Sequence, residues 1–125
     1  MNEKEEFLFK DTTEKIIKCF YRVFDELGGG FLESVYEKAL LIELKVCGLN
    51  AENQVPLKVK YKGAVIGDFK ADIIVDEKVI VEIKAVSSMV KEHEAQLINY
   101  LRATGIRIGL LVNFGDKLEF IRRIY

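Results

Sequence analysis

The chain has 125 residues, of which 50% are hydrophobic and 31% charged. That is the length of one average domain with enough apolar material for a real core, and it excludes an intrinsically disordered chain. Basic residues number 19 and acidic residues 20, for a formal net charge of -1, which excludes a histone-like binder that holds nucleic acid by bulk positive charge. It does not exclude an enzyme that gathers its basic residues on one face. Residues 51–125 hold 12 basic and 10 acidic side chains, so the positive excess lies in the C-terminal part.

No apolar run approaches the ~18 residues of a membrane span. Met1 to Lys10 carries acids and lacks an apolar stretch, so the N-terminus does not read as a secretory signal, and a cytoplasmic location is expected. Cys19 and Cys47 both sit in apolar-periodic segments; a disulfide is open to them, but two buried free thiols are the expected state. Two cysteines and one histidine make no thiolate zinc site. Pro56 is the only proline, and there is no repeat or low-complexity tract, so a single domain over 1–125 is expected, with 1–10 a flexible N-terminus.

Asp11-Thr12-Thr13-Glu14 reads as a capping box, after which Ile16, Phe20, Val23, Phe24 and Leu27 recur at helical spacing. Gly28-Gly29-Gly30 ends that helix. A second helix is predicted from Leu32 to Cys47, closed by Gly48. The period then drops to two: Val55, Leu57, Val59 and Tyr61 alternate with Lys58, Lys60 and Lys62, a half-buried strand ending in a Lys62-Gly63 turn. Strands follow over Phe69–Val75 and Val79–Ala85, joined by Asp76-Glu77-Lys78. A helix over Lys91–Thr104 stops at Gly105, and two strands, Ile106–Phe114 and Leu118–Ile124, complete the chain. The order α-α-β-β-β-α-β-β predicts a mixed α/β or α+β architecture, a sheet flanked by helices.

The middle hairpin carries the chemistry. Alternation puts Ala71, Ile73 and Val75 with Val79, Val81, Ile83 and Ala85 on one apolar face. The other face carries Lys70, Asp72, Ile74, Ile80, Glu82 and Lys84. A turn centred on Glu77 sets Asp72 directly opposite Glu82, and like charges so placed destabilise a sheet unless a proton, a lysine or a divalent cation offsets them. Two carboxylates with Cβ atoms about 5 Å apart suit one hard cation such as Mg²⁺ or Mn²⁺. Lys84, on the same face, can position water or stabilise charge on a phosphate. The bland alternative is an exposed strand face with ordinary ion pairs; Ile74 and Ile80 on that face argue instead for partial burial.

His93, Gln96 and Tyr100 share one face of the third helix, either a solvated stripe or a polar support for the hairpin. His93 reads as a helix-start or substrate-side residue ahead of a metal ligand. Glu33 falls in the first turn of the second helix, where the helix dipole favours an acid; alternatively it is a third carboxylate for the cation. Lys58, Lys60 and Lys62 are either a solvated strand face or a phosphate-contacting stripe. The glycine triplet is not a phosphate loop, because no Gly-Lys-Ser/Thr follows.

These residues together resemble the GxxExxY proteins, a group within the PD-(D/E)XK nuclease superfamily. The naming motif is Gly30-x-x-Glu33-x-x-Tyr36. Further matches are Gln54-Val55-Pro56-Leu57, Lys70 to Val75, Val81-Glu82-Ile83-Lys84-Ala85-Val86, His93-Glu94-Ala95-Gln96-Leu97, Tyr100-Leu101-Arg102 and Gly109 to Gly115, so the likeness runs from about residue 12 to the C-terminus. The resemblance implies a restriction-endonuclease-like core and a metal-dependent nuclease site. By position, Asp72 is the superfamily aspartate, Glu82-x-Lys84 its (D/E)xK, Glu33 the acid on the preceding helix, and Gln96-x-x-x-Tyr100 the Gln/Tyr element of the exonuclease-type branch. The expected roles are thus Asp72, Glu82, Lys84, Gln96 and Tyr100 in catalysis, Glu33, Asp72 and Glu82 on Mg²⁺ or Mn²⁺, and His93 and Tyr36 toward the substrate. The expected partner is DNA or RNA; the rival reading is an inactive nuclease-fold module that binds nucleic acid or a protein. The apolar C-terminal strand could also pair across an edge to form a homo-oligomer.

Overall fold

The structure, a computed structural model, describes residues 3–125. Two helices, α1 (Glu3–Leu27) and α2 (Glu33–Val46), precede three strands, β1 (Ala51–Tyr61), β2 (Ala64–Val75) and β3 (Val79–Lys84). Helix α3 (Lys91–Thr104) then leads to β4 (Ile108–Phe114) and β5 (Leu118–Ile124). The strands form one sheet in the order β1-β2-β3-β4-β5. Only β3 and β4 run parallel, which is why a crossover helix, α3, stands between them; every other neighbouring pair is antiparallel. This is the mixed, helix-flanked sheet expected from the sequence. No helix among the described residues is long and apolar enough to cross a membrane.

Each face of the sheet has its own core. On one side Ile16, Cys19 and Phe20 of α1 and Tyr36, Leu40 and Leu44 of α2 pack on Ile73, Val81, Ile83 and Val112. On the other, Leu97, Tyr100 and Leu101 of α3 cover Ala71, Ile74, Ile80 and Leu111. The face carrying Ile74 and Ile80 is therefore buried under a helix, not solvated.

Three sequence expectations are corrected. First, α1 begins at Glu3, so the predicted capping box at Asp11–Glu14 lies inside the helix. The Thr13 hydroxyl donates to the Lys10 carbonyl at 2.9 Å, a bond a threonine can make without ending a helix. Second, Ala71 does not share a face with Ile73: it joins Ile74 under α3. The face changes at Asp72 and, on the partner strand, at Gln54, whose φ of 51° puts a non-glycine residue in the left-handed region. Accordingly Ala51 packs toward α1 and α2, whereas Val55 and Leu57 pack toward α3. Third, Tyr36 is 0% exposed. Its ring stacks on Phe114 at 4.4 Å. Its hydroxyl donates to the Gly28 carbonyl at 2.6 Å and accepts the Phe31 N–H at 3.2 Å, so its contacts lie within the fold rather than at a substrate.

Tyr36 thereby ties the glycine-rich α1–α2 loop to the core. That loop lies close to the β4–β5 turn: a Cβ on Gly29 would come within 2.4 Å of the Gly115 carbonyl oxygen, so only glycine fits there. Cys19 and Cys47 are free thiols with sulfurs 3.6 Å apart; Cys19 is buried, and burial pushes its pKa up to about 12, whereas Cys47 is only half-buried.

Tyr36→Phe removes both hydroxyl contacts and should destabilise the fold by about 1–3 kcal/mol. A lower thermal midpoint is expected; an unchanged one would mean that the hydroxyl does not hold this loop.

Candidate active site

The β2–β3 ladder has the predicted register but is short. It pairs Val75 with Val79, Ile74 with Ile80 and Ile73 with Val81, and there it ends. Beyond it β2 continues against β1, while β3 continues against β4 as far as Lys84. Asp72 and Glu82 occupy the fork. One Asp72 oxygen, Oδ2, accepts the Ile83 N–H at 2.8 Å, in place of a strand carbonyl. Glu82 Oε1 accepts the Asp72 N–H at 3.4 Å. Each acid thus satisfies an amide on the opposite strand, and the two carboxylates come together as the register predicts.

Glu82 is 3% exposed. Burial, followed by the contact with Asp72, pushes its pKa from 4.5 up to about 9; Lys84 opposes this only in part. The Lys84 ammonium donates to Gln96 Oε1 at 3.3 Å, and Gln96 Nε2 donates to the Tyr100 hydroxyl at 3.0 Å. Burial and then the Glu82 charge raise the Tyr100 pKa, which keeps its phenol protonated at neutral pH. The polar face of α3 is therefore a chain of contacts running from Lys84 to Tyr100, not a solvated stripe. His93 sits at the helix start, where its Nδ1 accepts the Val90 N–H at 3.2 Å.

Glu33 shares with Asp72 a cavity of about 250 Å³, also lined by Glu37 and Gln54. Among the described residues no group of three or more His, Cys, Asp or Glu side chains is gathered to hold a metal ion. Asp72 and Glu82 touch, and Glu33 is not drawn into one cluster with them. The donor chemistry of the pair nonetheless fits a hard cation. Both groups are carboxylates, one is deeply buried beside the other, and such a pair would leave the remaining positions of a cation to water.

Three contributors, Gln54, Asn113 and Glu37, were given no site role by the sequence reading. Gln54 Nε2 donates to Glu37 Oε1 at 2.6 Å and lies 3.4 Å from Asp72 Oδ1. Asn113, 1% exposed, clasps the backbone of Val86 by accepting its N–H and donating to its carbonyl, both at 2.9 Å, and so fixes the chain just after Lys84. Glu37 lies one turn after Glu33, the only local signal that it faces the same cavity.

Because the folded Glu82 carboxyl holds its proton more tightly than the unfolded chain does, its contribution to stability is complete below about pH 4.5 and is lost as the pH rises toward about 9. In metal-free buffer the urea midpoint should therefore fall across that window, and Glu82→Gln should flatten the fall. A midpoint that rises, or a variant profile parallel to wild type, would contradict the assignment.

No curated protein matches the sequence. Among solved structures, that of SSO0001 is similar, with 25% identity and a TM-score of 0.60; the match covers 73% of this chain and 48% of that one. The chain thus spans about half the length of that protein. A family model described as the PD-(D/E)XK nuclease superfamily matches residues 10–124, a span that includes both strands of the fork and α3. With nearly its whole length matched, the chain belongs to the PD-(D/E)XK nuclease superfamily.

Proposed function

We propose that the protein is a divalent-metal-dependent nuclease that hydrolyses phosphodiester bonds in DNA or RNA. The observation that carries this reading is the contact of Asp72 with buried Glu82 at the strand fork, with Lys84 two residues on and held by Gln96. Membership of the superfamily supports it. Asp72 and Glu82 are the residues that would hold Mg²⁺ or Mn²⁺, with Glu33 as a further acid on the same cavity as Asp72. A bound divalent cation supplies Lewis-acid stabilisation of the charge that develops on the phosphate.

The chain's own groups do the rest. Lys84 carries three N–H donors and gives one to Gln96, which leaves it able to orient an attacking water and a phosphate oxygen together. Gln96 also donates to Tyr100, so the phenol proton can point to a phosphate oxygen instead of back to Gln96. The attacking water oxygen forms a bond to phosphorus as the ester P–O bond breaks, and a proton passes to the leaving oxygen. Free Cys19 and Cys47 accord with the reducing cytosol, where we place the protein.

Single- and double-stranded DNA and RNA should be assayed in parallel with Mg²⁺ or Mn²⁺, with Glu82→Ala as control. Cleavage of at least one substrate is expected, and Lys84→Ala should lower it by about 100-fold or more while circular dichroism stays unchanged. Cleavage that survives Lys84→Ala would remove Lys84 from the mechanism, and no cleavage of any substrate would overturn the nuclease reading.

A further inference from the structure

The far end of α2 meets the middle of α1 through two thiols. Cys19 belongs to the core and is 0% exposed, whereas Cys47, the residue that closes α2, is half-buried. Gly48 follows in the left-handed region and ends the helix, so no further turn of helix covers Cys47. The two sulfurs lie 3.6 Å apart, and one thiol donates to the other. A disulfide needs about 2.05 Å, so closing the pair takes a shift of about 1.5 Å shared between two side chains. Arg22, one turn along α1 from Cys19, is exposed, and its guanidinium donates to the Cys47 sulfur at 3.4 Å. The same guanidinium stands 3.9 Å from the Glu43 carboxylate, so it offsets that acid where the acid would otherwise oppose a thiolate. The pair takes no part in the chemistry proposed for Asp72 and Glu82.

We propose that Cys19 and Cys47 form a reversible redox site, in which a hydroperoxide oxidises Cys47 and Cys19 resolves it as a disulfide within the chain. The inference stands apart from the nuclease reading. Access assigns the roles. Cys47 is the sulfur that a peroxide in solvent can reach, and the thiolate is the form that attacks. Its sulfur bonds to one peroxide oxygen as the O–O bond breaks; the other oxygen takes a proton and leaves as water or an alcohol, and Cys47 becomes a sulfenic acid. The Cys19 sulfur then bonds to the Cys47 sulfur as the S–O bond breaks, and the leaving hydroxide takes the Cys19 proton and departs as water. The two electrons lost by the sulfurs are those gained by the peroxide. Burial, and then the hydrogen bond with Cys47, hold Cys19 protonated, so its reach is limited to the neighbour beside it. A dithiol reductant returns both thiols by exchange, as befits a transient disulfide in a reducing compartment. The bond closes a loop that holds Gly28 to Gly30 and all of α2, and so ties the helix that bears Glu33 and Glu37 to α1. Such a loop loses freedom in the unfolded chain, which stabilises the oxidised fold.

Hydrogen peroxide added to the reduced wild-type chain tests this, with remaining thiols trapped by N-ethylmaleimide and peptides mapped by mass spectrometry without reduction. A peptide pair joined through Cys19 and Cys47 should appear in the monomer, and dithiothreitol should restore both thiols. The thermal midpoint of the oxidised protein should lie about 5–15 °C above that of the reduced protein and return on reduction. Cys19→Ala should leave Cys47 as a sulfenic or sulfinic acid, and Cys47→Ala should leave Cys19 free. Arg22→Gln should slow the loss of the Cys47 thiol by about 2- to 5-fold, the effect of one exposed charge contact. An unchanged rate would overturn the role given to Arg22. Three results in the wild-type chain would overturn the redox site itself. In one, both thiols stay free after Met89 has become the sulfoxide. In another, Cys47 reaches the sulfinic acid while Cys19 is still alkylated. In the third, the disulfide joins two chains instead of the two helices of one.

Discussion

Two carboxylates meet where β2 parts from β3, and the rest of the architecture follows from that fork. A ladder that ended there without substitutes would leave the amides of Ile83 and Asp72 unpaired in a largely buried place, at a cost of about 1–3 kcal/mol each. Asp72 and Glu82 supply the missing acceptors from their side chains. In doing so they bring like charges together in a setting where only a proton, Lys84 or a cation can offset them. The fold is thus closed by the same groups that form the candidate site, and so perturbed a pair favours reading it as a site rather than as a surface.

The fork also distributes the other elements. Because β3 pairs onward with β4 in parallel, the chain must cross the sheet between them, and α3 makes that crossing over the face that bears Glu82 and Lys84. Gln96 and Tyr100 arrive above the acids as a result. Because β2 leaves with β1, an arm projects beside α3 and leaves a groove lined by Phe69 and Tyr100. On the opposite face α2 brings Glu33 and Glu37 to Asp72, while Tyr36 anchors the start of that helix in the core.

Much of this was legible in the sequence, for physical reasons that differ from one element to the next. The short Asp76–Lys78 turn left little freedom of register, so the opposition of Asp72 and Glu82 could be read from numbering alone, and the helical spacing of Gln96 and Tyr100 needed only the period of a helix. Other features depended on contacts between distant segments. Nothing local signals that the ladder stops after Ile73, that the faces of β1 and β2 change over at Gln54 and Asp72, or that Ala71 belongs under α3. Asp11 to Glu14 carry a start signal that a longer helix simply absorbs. Tyr36 reads as a polar aromatic near a motif, and only the packing of Phe114 and the glycine loop shows that its hydroxyl is spent on the backbone. Lys58 and Lys60 alternate with Leu57, which packs toward α3, so they lie on the opposite, exposed face, with Lys58 across from Asp68.

The central claim is that the Asp72–Glu82 pair is a cation site built into the fork. Calorimetric titration of the purified protein with Mg²⁺ and Mn²⁺ tests it most directly, alongside the Asp72→Asn variant. The account predicts saturable binding of at least one of the two ions by the wild-type protein and a clear loss of affinity in the variant. No binding at millimolar metal, or equal affinity in both proteins, would contradict it.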